Sequence, residues 1–148
     1  MKTIILYASH HHGNTKKLVD SLSEQFDIAA ADVENQQLPD VSDYDCIGFA
    51  SGIDFGKPYE PITNAANLLM SEGKKVFFLF TCGQVKKTFD KGLRELAQQR
   101  SCEVLGTYAC KGFDTYGPWK VIGGINRNHP NEQDIAGAVA FFRSTIGN

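Results

Sequence analysis

Ser9-His10-His11-His12-Gly13-Asn14-Thr15 joins two segments of opposite character. Before it, Thr3-Ile4-Ile5-Leu6-Tyr7-Ala8 is an apolar run bounded by polar residues, the pattern of a buried strand. After it, Leu18, Val19, Leu22 and Phe26 recur at helical spacing within residues 16–26. A polar loop therefore links a first strand to a first helix. Ligands of open α/β sheets sit beyond the carboxyl ends of the strands. A helix start offers unpaired N–H groups and partial positive charge, which suits phosphate. Gly13 lets the backbone approach an anion closely, and Ser9, Asn14 and Thr15 add short donors. The loop reads as a phosphate cradle.

The same alternation continues downstream. Residues 27–33 read as a second strand, 46–50 as a third, 74–80 as a fourth and 103–110 as a fifth. The fourth is a continuous apolar run, expected at the sheet centre with both faces covered. Two glycines and two prolines between Ser51 and Pro61 argue against any regular element there. Helices are expected from Ile62 to Gly73, from Phe89 to Arg100 with Thr88 as cap, and from Pro130 to Gly147. A short helix is expected between the second and third strands. Strands alternating with helices imply a parallel sheet covered on both faces, a three-layer α/β/α sandwich.

The 148 residues suit a single domain over 1–148. With 15 basic and 17 acidic residues the net charge is -2, which gives no argument for nucleic acid. No apolar stretch is long enough to span a membrane, and no signal-peptide layout opens the chain, so a cytoplasmic location is expected. Cys46, Cys82, Cys102 and Cys110 show no CxxC spacing, and neither a zinc site nor a dithiol motif is expected. Burial as small apolar groups is the expected role of all four.

The loop after the first strand resembles the Thr/Ser-x-Thr-Gly-x-Thr phosphate signature of flavodoxins. Gly13-Asn14-Thr15 matches its second half, and His10 and His12 stand where that family has hydroxyl residues. The resemblance extends along the chain and implies a five-stranded parallel sheet of order 2-1-3-4-5. It implies FMN as cofactor. Ser9, His10, His11, His12, Gly13, Asn14 and Thr15 would hold the phosphate. Ser51, Gly52, Ile53, Asp54, Phe55 and Gly56, with Thr81, Cys82 and Gly83, would embrace the flavin ring. Phe55 is the first stacking candidate and Tyr59 the second. The partner would be a redox protein or a small-molecule electron acceptor.

Three adjacent loop histidines point different ways, so hydrogen bonding to phosphate or ribityl is expected of them rather than metal ligation. No catalytic acid, base or nucleophile stands out, which fits an electron carrier. Residues 111–130 form a long segment carrying Phe113, Tyr116 and Trp119, expected near the flavin ring. That segment keeps open an FMN-dependent reductase of a small substrate such as a quinone. A non-redox module binding a phosphorylated ligand is the third reading, because this kind of fold hosts unrelated functions.

Overall fold

The computed structural model describes residues 1–114 and 122–146, the side chain of His11 excepted. Five parallel strands form the sheet: β1 (Thr3–Ala8), β2 (Ala29–Asp32), β3 (Cys46–Asp54), β5 (Lys75–Cys82) and β6 (Glu103–Lys111). Their spatial order is β2-β1-β3-β5-β6. Counted as parallel strands alone, this is the order 2-1-3-4-5 implied by the resemblance. One strand was not expected. Lys57–Pro58 forms β4, antiparallel to the end of β3, with Asp54 opposite Lys57 and Ile53 opposite Pro58. The glycine and proline content there does not exclude a strand, because Pro58 sits off the main sheet, where no ladder N–H is needed.

Packing follows from alternation along each strand. Ile4, Leu6, Phe49, Phe78 and Phe80 turn to one face and pack with Ile62, Ala65 and Ala66 of α2 (Glu60–Leu69) and Leu93 and Ala97 of α3 (Lys91–Gln99). Ile5, Tyr7, Phe77 and Leu79 turn to the other face. They meet Leu18, Val19 and Leu22 of α1 (Asn14–Phe26) and Ala138 and Phe142 of α4 (Glu132–Thr145). Val76 to Phe80 of β5 are fully buried, as a central parallel strand requires. The alanine-rich β2 lies at the sheet edge with Ala29 and Ala30 exposed.

Other boundaries move for local reasons. No helix forms between β2 and β3. Asp32 Oδ1 accepts from the N–H groups of Glu34 and Asn35, and Asp40 Oδ1 from that of Ser42, so side chains take the amides a helix would use. Lys74 Nζ then donates to the carbonyls of Val41, Ser42 and Tyr44 and ties this segment down. Helix α3 starts after Asp90 rather than at Phe89, with Asp90 instead of Thr88 at the cap position. Helix α2 ends at Leu69, because Met70 is already extended at ψ 126°. A capping box between Asn131 and Asp134 opens α4. Gly147, expected to end it, lies outside the described residues. Among the described residues no helix is long and apolar enough to cross a membrane.

Candidate functional site

The ends of β1, β3, β5 and β6 meet around one cleft of about 210 Å³. Ser9, His10, Asn14 and Thr15 line it from the first loop, and Ile53, Asp54, Phe55 and Tyr59 from the β3–β4 side. Thr81, Cys82 and Gly83 come from the end of β5, and Gly112, Phe113 and Asp114 from the end of β6. A larger groove of about 720 Å³ lies between α3 and β6. The smaller cleft is the candidate site because it occupies the carboxyl ends of the parallel strands and the start of α1.

The first loop is a short 3₁₀ turn, His11–Gly13, running into α1. His12 and Gly13 both hold left-handed backbone, at φ 63° and 64°. For His12 this is a rare conformation. At Gly13 it costs little, and a Cβ built there would meet no atom of the described residues within 4 Å. The loop's polar side chains are committed to the fold. Ser9 Oγ accepts from the Lys16 N–H at 3.1 Å. Asn14 Nδ2 donates to the Phe113 carbonyl at 2.8 Å, and Asn14 Oδ1 accepts from the Phe113 N–H at 3.3 Å. The buried hydroxyls of Thr15 and Thr81 bond to each other. Asn14 and Thr15 thus lock the first loop to the ends of β5 and β6, and of the first-turn amides of α1 that of Lys16 is already taken by Ser9.

The histidines diverge. His10 Nε2 sits 2.5 Å from Glu34 Oε1, and its ring stacks on Tyr59 at 4.1 Å. His12 lies against the Phe113 ring at 4.0 Å. Tyr59 is a buried wall. Its N–H donates to Ser51 Oγ, which itself donates to the Gly52 carbonyl. A Cβ on Gly52 would come within 2.3 Å of the Tyr59 hydroxyl, so this ring needs a glycine beneath it. Ser51 and Gly52 therefore support the wall from behind and do not line the cleft. Phe55 and Gly56, at φ 51° and 76°, are the two-residue tip of the β3–β4 hairpin, both residues left-handed as a type I′ turn requires. The tip holds Phe55 86% exposed at the cleft mouth.

Electrostatics suppress nucleophiles here. Burial, followed by the carboxylates of Asp54, Asp114 and Glu34, pushes the Tyr59 hydroxyl up to about 12. Burial and then Asp114 push the Cys82 thiol up to about 12 as well. Burial, with Asp134 and Cys82, does the same to Cys110. These groups stay protonated at neutral pH, and the two thiols pack as small apolar groups.

Sequence reasoning missed Glu34, Gly112 and Asp114 and gave Tyr59 too narrow a role. Glu34 belongs to a distant polar loop, and nothing local in the sequence joins it to His10. Tyr59 was weighed only as a stacking ring, whereas it forms the wall that carries His10. Phe113 lines the cleft as expected of the long segment, and its neighbours Gly112 and Asp114 join it; a glycine directly after a strand is a usable signal for them. Asp114 pairs with Ile125 in an antiparallel bridge, and Asn126 Nδ2 donates to the Gly83 carbonyl at 2.8 Å. The expected contributions of Tyr116 and Trp119 lie outside the described residues.

Residues 4–106 match the family described as flavodoxin domain. An uncharacterized protein of Methanocaldococcus jannaschii is 38% identical over 150 residues, covering 100% of both chains. Oxidised flavodoxin 1 from Bacillus cereus shares the fold at a TM-score of 0.70 and 18% identity, over 99% of this chain and 97% of that one. A flavoprotein from Lactobacillus acidophilus, solved in complex with FMN, aligns at a TM-score of 0.58 and 23% identity, over 73% of this chain and 92% of that one.

Proposed function

This chain belongs to the flavodoxin family, and we propose that it holds FMN non-covalently in the cleft and carries electrons between redox partners. The observation that supports this most is Gly13. It turns at the start of α1 in left-handed backbone, with space where any side chain would stand. A phosphate against the first-turn amides of α1 uses that space. The residues present fit the group. The α1 start and the first loop would hold the phosphate, the Tyr59–His10 stack would form one wall, and Phe55 would contact the ring. Bound FMN would supply reversible electron transfer through its ring system.

The protein's own part is holding and shielding. Thr15–Thr81 and Asn14–Phe113 fix the loops before any ligand arrives, so little ordering accompanies binding. Protonated Cys82 and Tyr59 offer neither a thiolate nor a phenolate to attack a substrate. That favours a carrier over an enzyme with covalent chemistry. Titration with FMN, followed by visible absorbance, tests the reading. One FMN per chain is expected, with FAD bound more weakly. A protein that stays colourless at excess FMN overturns it and leaves a non-redox module.

Phe113 favours a second reading. It lines the cleft beside an exposed Phe55, which gives apolar surface for a small acceptor such as a quinone. Steady reduction of benzoquinone to hydroquinone by the FMN-loaded chain with NADPH as the two-electron donor, abolished in Phe113→Ala while FMN stays bound, would support a reductase. Equal rates in both proteins would leave the carrier reading alone.

A further inference from the structure

A second surface begins one turn of chain beyond the cleft. After Thr81-Cys82-Gly83, residues 84–91 lead into α3 and border the groove between α3 and β6. Ala109 and Thr107 of β6 and Phe80 and Phe89 form its floor. Lys86, Lys87, Lys91 and Arg94 rim it, against Asp90 and Glu95. Asp90 is already used: its Oδ2 accepts from Arg94 Nε at 2.5 Å and from Thr107 Oγ1 at 2.6 Å. Arg94 is thereby neutralised. Lys86, Lys87 and Lys91 have no ion-pair partner among the described residues. A second groove of about 430 Å³ shares Thr88, Phe89, Lys91 and Glu95 with the first and continues to Lys57 of the β3–β4 hairpin. The two make one face with excess positive charge on a chain whose net charge is -2. Two exposed apolar side chains flank it, Val85 at 51% and Phe55 at 86%.

We propose that this lysine-rimmed face is the docking site for an acidic one-electron carrier protein. Its position rests on the FMN reading, since a partner seated there lies next to the Thr81–Gly83 side of the cleft. Its chemistry stands independently. Unpaired lysines beside exposed apolar side chains give a charged face with apolar contacts at its edge, which steers association and tolerates a small, transient interface. Concavity on both sides of the Thr88–Lys91 ridge suits a protein surface with relief better than a flat lipid surface.

The test is an NMR titration of the full-length ¹⁵N-labelled chain, FMN-free and FMN-loaded, with a plant-type [2Fe–2S] ferredoxin as the acidic probe. Shift changes are expected at residues 84–95 and 107–109 in both forms, and binding should weaken steeply with salt. The triple variant Lys86→Glu, Lys87→Glu, Lys91→Glu should bind the ferredoxin about tenfold more weakly or worse, with FMN affinity unaltered. Shift changes confined to other surfaces, or an unchanged Kd in the triple variant, overturn the proposal. So does lysine-dependent co-sedimentation with phosphatidylserine vesicles in the absence of ferredoxin shifts, which assigns the face to a membrane surface. The FMN-free arm separates the two ideas. A chain that binds ferredoxin here but never binds FMN refutes the cofactor reading and keeps the docking site, and the reverse result refutes the docking site alone.

Discussion

The Oγ1 atoms of Thr15 and Thr81 lie 2.8 Å apart, both buried, one at the start of α1 and the other near the end of β5. Either single change to valine keeps the volume but strands the remaining hydroxyl without a partner. Thr15→Val and Thr81→Val should each lose about 1–3 kcal/mol in urea unfolding. The double variant should lose less than the sum, because no unsatisfied group is left. Additive losses would show that the two hydroxyls are not each other's partner.

Gly13 gives the second prediction. Gly13→Ala should cost about 1–2 kcal/mol through its left-handed backbone, with no clash among the described residues. Gly13→Val should remain folded and lose FMN affinity by about tenfold or more, equivalent to about 1.4 kcal/mol. Calorimetric titration of folded Gly13→Val decides it, and wild-type affinity would place the phosphate elsewhere.

Gly52 tests the wall. An added methyl overlaps the Tyr59 hydroxyl and the ring carbon that bears it, and must displace a side chain that is only 8% exposed. Gly52→Ala should cost about 1–3 kcal/mol in thermal unfolding and disturb the His10–Tyr59 stack. The His10 ring proton shifts, read by NMR, should move with it. Unmoved shifts and an unchanged Tm would mean that the ring is not held against Gly52.

Alkaline conditions should weaken the fold through its thiols. Burial pushes Cys46, Cys82 and Cys110 from 9.0 up to about 12. In the unfolded chain these thiols ionise first, so the stabilisation is complete below pH 9 and is lost as pH rises towards 12. Each contributes a slope of about 1.4 kcal/mol per pH unit within that window. Urea midpoints at pH 8 and pH 10.5 should differ in that direction. A flat profile would mean that the thiols ionise within the native protein.

Much of this arrangement is legible in the sequence where burial is two-sided. The apolar runs of β1 and β5 could lie nowhere but inside the sheet, and their order follows from the intervening helices. The β3–β4 hairpin was not legible, because Phe55 is a poor candidate for left-handed backbone and Pro58 a poor one for a strand. Phe55 is tolerated at the exposed tip, and Pro58 in a short strand off the main sheet. The loops of the site were visible as glycine-bearing ends of apolar strands. Their partners were not. Asn14 reaches Phe113 across 99 residues and His10 reaches Glu34 across 24, and neither pair has a local signature.

Asp114 and Ile125 exchange both backbone hydrogen bonds, at 3.0 and 2.7 Å, and Asn126 is tied to the Gly83 carbonyl. One clasp just beyond the end of β6 thus ties the two ends of residues 114–125 together. Replacement segments of different length between those two residues would meet the same anchor points, and longer closures add cost only slowly. A change of length between Asp114 and Ile125 therefore leaves the register of every strand untouched, because the clasp and not the intervening chain ties the two residues together.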